Sequence, residues 1–348
     1  MQPTAVQNPP NPWSTTEVDY LGEPPLERLQ IFEDQTKEIL SSNDSPDLGF
    51  RYSVNPYRGC MHACAYCYAR PTHEYLSFGS GTDFDRKIVV KPKAPELLRA
   101  AFERPSWKGD LVVFSGNTDC YQPLEASYQL TRGCLEVCAD YQNPVHVITK
   151  APLIERDLDV LLRLSSRASL GVTISIPFWN ADHARAIEPL VATPERRMKT
   201  VKRLAQAGLR TSVNFAPIIP GLNEEDLAAV LEAAAEAGAA SASMTVLRLP
   251  GSVKQVFEDR LRAALPLRAE RVLARTREVR GGKLNDPRFG TRQRGEGVYA
   301  DTLAQVFRRT AERLGLLYEP MTTATPPPST FRRPRAQLDF FDKLGGSR

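Results

Sequence analysis

The stretch Cys60-Met61-His62-Ala63-Cys64-Ala65-Tyr66-Cys67 decides how this chain is interpreted, because it places three thiols within eight residues. Closely spaced thiolates of this kind are typical ligands of a cubane iron–sulfur cluster. With only three protein thiolates, one iron of a four-iron cluster has no protein ligand and is open to a small molecule. Electron-transfer ferredoxins usually fill all four positions with Cys. The stretch therefore predicts a cluster that binds a substrate or cosubstrate directly.

Two other uses of clustered cysteines have to be weighed against an iron–sulfur cluster. A zinc site usually has a fourth Cys or His at paired spacing, and only His62 and His73 lie near the three cysteines. A disulfide framework is typical of small secreted chains, whereas this chain has 348 residues and six Cys. The cluster is favoured, and zinc stays open from the spacing alone.

The residues on both sides of the cysteines extend the pattern. Asn55-Pro56-Tyr57-Arg58-Gly59 runs into the first Cys, and Tyr68-Ala69-Arg70 follows the last. The whole stretch resembles the cluster-binding loop of the radical S-adenosylmethionine (SAM) enzymes. This resemblance implies a 4Fe-4S cluster held by Cys60, Cys64 and Cys67, whose open iron takes the amino and carboxylate groups of SAM. A reductant such as flavodoxin or ferredoxin would supply the electron that cleaves SAM into methionine and a 5′-deoxyadenosyl radical.

The composition is that of an ordinary folded enzyme, with 42% apolar and 25% charged residues. The beginning of the chain, Met1 to Trp13, has no basic start and no apolar run, so a secretory signal is not expected. The Ala-rich run from Leu227 to Met244 is interrupted by Glu232 and Glu236 and does not predict a membrane span. We expect a cytoplasmic protein without membrane contact, and a thiolate cluster fits such a reducing compartment.

From residue 110 onward, short apolar runs rich in Val, Ile and Thr alternate with longer helical patterns. Asn223 is expected to cap one helix, and Gly208 and Gly238 to end two others. Such alternation predicts right-handed βαβ units with parallel strands. The predicted strands are Phe50 to Val54, Leu111 to Phe114, Val145 to Thr149, Gly171 to Ile176, Arg210 to Phe215 and Ser241 to Leu247. The predicted helices are Leu130 to Tyr141, Leu153 to Leu164, Pro194 to Ala207 and Glu224 to Ala237.

Six βα units are predicted rather than eight, and from the pattern alone a doubly wound sheet stays open as the alternative. The resemblance favours an α/β fold with a partial (βα)6 TIM-like barrel of the radical SAM type, whose chemistry lies at the C-terminal strand ends. Residues 71–93 are expected to form a loop with a short extended segment. The predicted organisation is an N-terminal extension, partly disordered, at 1–50; the barrel at 51–250; a basic helical C-terminal cap at 251–318; and a flexible tail at 319–348.

Polar side chains at the predicted strand ends are the candidates for binding SAM, because barrel sites collect there. We expect Lys150 to meet the methionine carboxylate and Ser175 to reach a ribose hydroxyl. Tyr66 and Tyr68 flank the last cysteine and are expected to pack on the cluster or on adenine. Turn formation and cofactor-free packing are the open alternatives. The strand-end candidates are Asn117, Thr118, Lys150, Ser175 and Asn214.

Over residues 51 to about 250 the chain is similar to the radical SAM group that includes spore photoproduct lyase, often described as DNA repair photolyase-like. Besides the cysteine loop, this similarity is carried by Ser115-Gly116-Asn117-Thr118-Asp119, Ile148-Thr149-Lys150 and Ser175. It implies an enzyme that acts on nucleic acid, in DNA repair or modification. Radical modification of RNA or of a protein stays open, as does a non-catalytic metal-binding protein.

The hydrogen donor is one point at which the chain departs from that group. In spore photoproduct lyase a Cys beside the second strand returns a hydrogen to the repaired thymine. Alignment on Thr118-Asp119 places this position at Gly116, and Cys120 lies four residues further on. Cys120 is therefore the candidate hydrogen donor, but the lyase reaction itself is not implied.

Three further features bear on partners and cofactors. Cys134 and Cys138 lie one helical turn apart and, with Cys120, either hold a second cluster or belong to the core.

Between Phe257 and Glu296 there are eleven Lys or Arg against six acids, which predicts either phosphate contact or an ion-paired helix surface.

The end of the chain carries a short apolar motif, Gln337-Leu338-Asp339-Phe340-Phe341. It resembles the pentapeptide by which bacterial replication and repair proteins bind the β sliding clamp. In this interpretation Gln337 forms hydrogen bonds, while Leu338 and Phe341 fill an apolar pocket. The alternative is that the tail packs on its own barrel.

Overall fold

The computed structural model describes residues 28–318 and 327–334, and its fold is built around one large sheet. Its strands are β1 (Gln30–Glu33), β2 (Leu40–Ser42), β3 (Tyr52–Val54), β4 (Tyr57–Arg58), β5 (Lys87–Val90), β6 (Val112–Phe114), β7 (Val145–Thr149), β8 (Leu170–Ser175), β9 (Thr211–Ile218), β10 (Ser241–Val246) and β11 (Leu317–Tyr318). Its helices are α1 (Thr82–Arg86), α2 (Ala94–Glu103), α3 (Glu125–Tyr128), α4 (Leu130–Asp140), α5 (Leu158–Ser165), α6 (Ala181–Ile187), α7 (Pro194–Gln206), α8 (Leu227–Glu236), α9 (Val253–Ala264), α10 (Pro266–Glu278) and α11 (Val298–Arg313). Short 3-10 helices span Arg70–Leu76, Pro152–Asp157 and Glu224–Asp226.

The large sheet has the strand order β11-β10-β9-β8-β7-β6-β3-β2. All neighbours pair in parallel except β2, which runs antiparallel to β3 at one edge. Its central strands are buried, as expected for a parallel sheet covered by helices. Within the described residues the edge strands β2 and β11 do not pair with each other, so the barrel has an open side. The expected partial (βα)6 barrel is confirmed.

Helix ends show where local sequence rules hold and where they fail. Gly208 and Gly238 both have φ of +86°, a left-handed conformation suited to Gly, and they follow α7 and α8 as expected. Asn223 occupies the N-cap position of the 3-10 helix Glu224–Asp226 that precedes α8, but its side chain forms no capping hydrogen bond. Its Oδ1 accepts a hydrogen bond from the Ile219 N–H at 2.7 Å, and its Nδ2 donates to the Pro217 carbonyl at 3.0 Å. Asn223 therefore closes the loop after β9 instead.

The N-terminal part and residues 71–93 are more ordered than the sequence indicated. β1 and β4 pair with the two sides of β5 and form a second, three-stranded sheet. The short extended segment predicted within residues 71–93 is therefore the central strand of this sheet, and its residues Ile88 and Val90 are fully buried. Residues 1–27 of the predicted extension lie outside the described residues.

The C-terminal part contains the predicted helices α9, α10 and α11, but its end belongs to the large sheet. β11 pairs in parallel with β10, with Ser241 opposite Leu317. Residues 327–334 of the predicted flexible tail pack against the barrel, and Arg332 N–H donates to the Tyr141 carbonyl at 2.8 Å. The division into domains stays a prediction. In the described part of the chain, no helix combines the length and apolar character needed to cross a membrane.

A buried arginine holds the cysteine loop in its shape. The Arg70 side chain is 1% exposed, and its Nε and Nη2 both donate to the Cys64 carbonyl, at 3.0 and 2.9 Å. Nη1 donates to the Ser80 and Gly81 carbonyls, each at 2.9 Å. Asp85 neutralises the guanidinium at 2.9 Å. One side chain thus joins the loop to the start of α1.

The beginning of the loop needs a glycine and a second buried polar side chain. Gly59 has φ of +78°, and a Cβ there would lie 2.8 Å from His73 Cε1 and 2.9 Å from the Phe84 carbonyl oxygen. Gln122, which is fully buried, donates to the Gly59 carbonyl at 3.0 Å and accepts from the Met61 N–H at 3.1 Å. The loop backbone is therefore fixed on both sides of Cys60.

Replacing Arg70 with Met should lower the free energy of unfolding by about 3–5 kcal/mol, because Asp85 and three carbonyl groups lose a buried partner. Iron bound per chain after anaerobic reconstitution should fall with it. Arg99→Met is the matched control, since Arg99 forms an exposed ion pair with Asp140 and should cost less than about 1 kcal/mol. Equal effects of the two substitutions in denaturant titration would contradict the assigned role of Arg70.

Candidate functional site

A cavity of about 280 Å³ lies at the C-terminal ends of the barrel strands. Loops that follow parallel strands meet at this end of a barrel, which is where such proteins bind ligands. All three cysteines of the loop and every strand-end and tyrosine candidate from the sequence line this one cavity. These residues are Cys60, Cys64, Cys67, Tyr66, Tyr68, Asn117, Thr118, Lys150, Ser175 and Asn214.

The loop after β6 is hydrogen-bonded to the segment that leads from β3 into the cysteine loop. Ser115 has φ of +74°, a rare conformation for a residue other than Gly, and its Oγ accepts from the Cys120 N–H at 2.9 Å. Asn117 N–H donates to the Asn55 side chain at 2.8 Å, and the Thr118 hydroxyl donates to the Tyr57 carbonyl at 2.9 Å. Asn117 and Thr118 are thus held against the segment that enters the cysteine loop.

Asp119 joins this loop to the cysteine loop and to β7. Its carboxylate accepts from the Thr149 hydroxyl at 2.6 Å and from the Lys150 N–H at 2.8 Å, and it lies 3.4 Å from His62 Nδ1. Although burial raises the pKa of Asp119, the His62 charge and these hydrogen bonds hold it at about 2. An ionised Asp119 therefore fixes His62, between the first two cysteines, relative to the end of β7.

Lys150 places an ammonium group in the cavity lining beside Tyr66 and Glu188. Its Nζ lies 5.8 Å from the centre of the Tyr66 ring and 4.0 Å from Glu188. Burial and the Glu188 carboxylate raise the pKa of the Cys64 thiol well above its ordinary value, and Lys150 acts in the opposite direction. The thiolate form that binds iron thus has one nearby ammonium group to favour it.

A buried acid–base network supports this corner of the cavity. Glu188 accepts from the Tyr66 hydroxyl and pairs with Arg197 at 2.7 Å, and both members of the ion pair are almost fully buried. Arg197 also donates to the Ser175 carbonyl at 2.8 Å. Tyr66 is therefore held by its hydroxyl, and the main chain at the end of β8 is fixed. Sequence reasoning missed Glu188 and Arg197, because both lie on or beside helices and follow no motif.

Tyr68 and Asn214 occupy different parts of the lining. The Tyr68 side chain is 52% exposed, and its hydroxyl donates to the Gly116 carbonyl at 2.7 Å. Asn214 is buried and its Oδ1 accepts from the Ser243 hydroxyl at 3.1 Å. Tyr68 thus presents a ring to solvent in the cavity, whereas Asn214 is anchored between β9 and β10.

The structure does not bring Cys120, the candidate hydrogen donor, to the cavity. Cys120, Cys134 and Cys138 are all fully buried and pack in the main hydrophobic core. Burial raises the pKa of the Cys120 thiol well above its ordinary value. A hydrogen donor has to contact the substrate, and a thiol enclosed by core side chains does not meet this requirement. All three thiols have the apolar surroundings that are typical of core cysteines.

Gly116 lines the cavity at the position that the alignment gave to the lyase cysteine. A Cβ on Gly116 would lie 2.8 Å from Ser53 Cβ and 2.9 Å from Ser53 Oγ. These separations are shorter than ordinary van der Waals contacts, so the Ser53 side chain occupies the space that a larger residue needs. The cavity wall is built for Gly at this point.

The basic segment between residues 257 and 296 is largely engaged in contacts within the protein. Arg280 is 2% exposed and donates to the Val246 and Leu247 carbonyls at 3.0 and 2.6 Å. Much of the basic segment therefore forms an ion-paired surface, which was the alternative to phosphate contact. Its ion pairs include Arg262 with Glu258 and Glu270, Arg271 with Glu224 and Glu225, Arg275 with Glu278, Arg288 with Asp286 and Glu296, and Arg292 with Asp47.

Two arginines extend the cavity lining beyond the predicted residues. Arg248 follows β10 directly, and Arg292 comes from the segment after α10. Arg292 pairs with Asp47 and also donates to the Ser45 hydroxyl. The rule that strand ends carry the site would have identified Arg248, whereas the approach of Arg292 depends on the tertiary fold.

The donor set of the cavity fits an iron–sulfur cluster with SAM. Three thiols from one short loop face the same cavity, which also holds a partly buried ammonium group, several hydroxyl and amide groups and two aromatic rings. Thiolates bind iron, and the remaining groups match the carboxylate, ribose and adenine of SAM. Cys60, Cys64 and Cys67 would hold the cluster, with Lys150, Ser175 and Asn214 beside the cosubstrate.

Solved structures of spore photoproduct lyase share the overall fold. A complex with dinucleoside spore photoproduct matches with a TM-score of 0.58 at 16% identity, covering 83% of this chain and 81% of that chain. A variant of the same lyase with bound AdoMet and dinucleoside spore photoproduct matches with a TM-score of 0.59 at 17% identity, with the same coverage of both chains. At these identities the likeness concerns the fold alone.

Sequence relatives and a family model complete the comparison. An uncharacterized protein of Mycobacterium tuberculosis (strain ATCC 25618 / H37Rv) is 39% identical over 221 residues, which cover 63% of this chain and 65% of the relative. An uncharacterized protein of Methanocaldococcus jannaschii is 29% identical over 195 residues, covering 56% and 70%. The chain thus matches slightly less than two thirds of the mycobacterial relative. The model of the Radical SAM superfamily matches residues 54–234, more than half of the chain. The chain belongs to the radical SAM superfamily, whose enzymes use a 4Fe-4S cluster and SAM.

Proposed function

We propose that this radical SAM enzyme acts on nucleic acid, in DNA repair or modification. The observation that carries this proposal is the fold, which over more than four fifths of the chain matches a lyase solved with a dinucleoside photoproduct. The cavity supports it, because Arg248, Arg292 and Lys150 give its lining a positive charge suited to a polyanion.

The side chains of the cavity have distinct parts in this reaction. When bound, the cluster and SAM supply a 5′-deoxyadenosyl radical that removes one hydrogen atom from the substrate. Lys150 binds the methionine carboxylate, Ser175 orients the ribose, and Asn214 offers an amide that Ser243 holds in place. Tyr66 is fixed by Glu188 and packs against the cosubstrate.

Return of a hydrogen atom by a cysteine beside β6 has no support in this chain. The corresponding position is Gly116, whose surroundings leave no space for a side chain, and the Cys120 thiol is enclosed in the core. The nucleic-acid reaction that we propose therefore differs from the lyase reaction in the step that returns a hydrogen atom. Tyr68 is the exposed O–H group nearest to Gly116, to whose carbonyl it is bonded.

A label-transfer experiment tests the proposed substrate class. The reconstituted, reduced holoenzyme is incubated with SAM and with DNA, RNA or protein isolated from cells grown in heavy water. We expect deuterium to appear in 5′-deoxyadenosine with the labelled DNA, because the abstracted hydrogen is transferred to that product. Unlabelled DNA in heavy-water buffer is the control for solvent exchange. Label arriving only from RNA or only from protein would overturn the proposal in favour of that substrate.

Residues 330–333 of the C-terminal tail are bound to the barrel, and they precede the motif that suggests a protein partner. The Phe331 ring lies 5.8 Å from the Phe102 ring, and the Arg333 guanidinium donates to the Phe102 carbonyl at 3.0 Å. The Thr330 hydroxyl donates to the Gln142 carbonyl at 2.8 Å. These contacts lie close to the starts of β6 and β7, on the opposite side from the cavity.

We propose that the motif after this anchor binds a β sliding clamp. Gln337, Leu338 and Phe341 lie outside the described residues, so this proposal rests on the sequence and on the anchor. Gln337 is four residues beyond Arg333, a reach of about 14 Å at most for an extended chain. A clamp held there would leave the cavity on the far side free for nucleic acid.

The clamp proposal predicts micromolar-range binding, the order expected when a short segment is ordered on binding. Full-length protein should bind purified β clamp in calorimetry, and so should a peptide spanning Arg332 to Lys343. Replacing Gln337, Leu338 and Phe341 with Ala should remove binding while iron content is unchanged. Replacing Asp342 and Lys343 with Ala is the matched control and should change affinity less than about threefold. No binding of the wild-type chain at high clamp concentration would refute this partner.

A further inference from the structure

The segment that carries Arg248 is rigidly supported. Arg280 is bonded to the carbonyls of Val246 and Leu247, the two residues before Arg248, and to the Thr291 carbonyl at 3.1 Å. The Val246 N–H donates to the Gln293 carbonyl at 2.9 Å. The end of β10 and the segment around residues 291–293 therefore form one wall of the cavity, and Arg248 is presented from a fixed backbone.

Arg248 differs from the other Lys and Arg side chains that line the cavity. Lys150 has Glu188 at 4.0 Å, and Arg292 has Asp47. Arg248 forms no hydrogen bond or ion pair with any residue in 28–318 or 327–334, and its buried Nε has no acceptor. A partly buried guanidinium without an acceptor is unfavourable, because its lost hydration is not replaced.

The surroundings of Arg248 increase this deficit. Arg280 and Arg292 are the nearest guanidinium groups, and both act on Arg248 as like charges. Arg280 is satisfied by carbonyl groups and Arg292 by Asp47, so Arg248 has no hydrogen-bond acceptor of its own, although Asp47 acts on it as an opposite charge. An anion entering the cavity beside Arg248 would gain from all three charges and would supply the missing acceptor.

We propose that Arg248 binds a phosphate group of the nucleic-acid backbone and so fixes the substrate in the cavity. This inference rests on the proposed function and adds to it the residue that recognises the backbone. A planar guanidinium binds phosphate through two parallel hydrogen bonds, which also sets the orientation of the bound strand.

The carboxylate of SAM is the other oxyanion that has to be considered at Arg248. Lys150 meets that carboxylate in our assignment, because it lies over Tyr66 and its charge acts on the thiols of Cys64 and Cys67. Arg248 instead has Arg292, Tyr68 and Asp47 as its charged or ionisable neighbours. The two cations therefore serve different parts of the cavity.

The test compares two probes that differ only in the charge of one linkage. Thymidylyl-thymidine carries one phosphate, and its methylphosphonate analogue is neutral. The holoenzyme with SAM should bind the charged dinucleotide about tenfold or more tightly than the analogue, the range expected for a charged hydrogen-bonded pair. Arg248→Gln should lose this preference, and Arg248→Lys should retain part of it. Arg308→Gln, on exposed α11, is the control and should keep the full preference.

Every outcome of this comparison decides the inference. Equal affinity of the wild-type holoenzyme for both probes, or no measurable affinity for either, overturns it. Loss of SAM affinity in Arg248→Gln by the same factor also overturns it, since Arg248 would then be a cosubstrate ligand. Iron content of each variant reports whether it has folded, and Arg248→Lys serves if Arg248→Gln has not. Label transfer from DNA is scored separately, so a failed role for Arg248 is distinguishable from a failed substrate class.

Discussion

The site depends on the buried hydrogen bonds that hold the backbone of the cysteine loop in one conformation. Three thiols within eight residues line one cavity. This arrangement requires that the carbonyl groups of the loop backbone point away from the cavity. Arg70 donates a hydrogen bond to the Cys64 carbonyl. Gln122 donates to the Gly59 carbonyl and accepts from the Met61 N–H. These buried partners satisfy two carbonyl groups and one N–H of the loop, so this part of its backbone is fixed while the three thiols line the cavity.

The strand ends are joined to this loop through a few ionised side chains. Asp119 connects His62 in the loop with the end of β7, and Glu188 connects Tyr66 with Arg197 behind β8. Each network lies in the low-dielectric interior, where a fully satisfied group of charges fixes geometry strongly. The cavity wall is thus fixed around Tyr66 and the ends of β7 and β8, whereas Tyr68 is exposed.

The sequence predicted most of the barrel, because a parallel strand buried on both faces is a continuous apolar run that is easily recognised. It also identified the cavity residues that follow strands, since topology alone brings strand ends together. Glu188 and Arg197 were missed because they lie on or beside helices and no motif marks them, and the loop pattern included Arg70 without indicating its buried role. The second sheet was missed for a similar reason: β1 and β4 are short, and β5 becomes a central strand only through both of them. Cys120 was assigned from its distance along the chain, which says nothing about the core that encloses it.

The central claim is that Cys60, Cys64 and Cys67 alone hold a cluster that cleaves SAM. The most direct measurement is iron content and 5′-deoxyadenosine formation in the anaerobically reconstituted, reduced protein. We expect one four-iron cluster per chain in the wild type, loss of both signals when any of these residues is replaced with Ala, and retention of both in Cys134→Ala and Cys138→Ala, whose thiols lie in the core. One equivalent of zinc, with no iron and no SAM cleavage in the wild-type protein, would contradict the account.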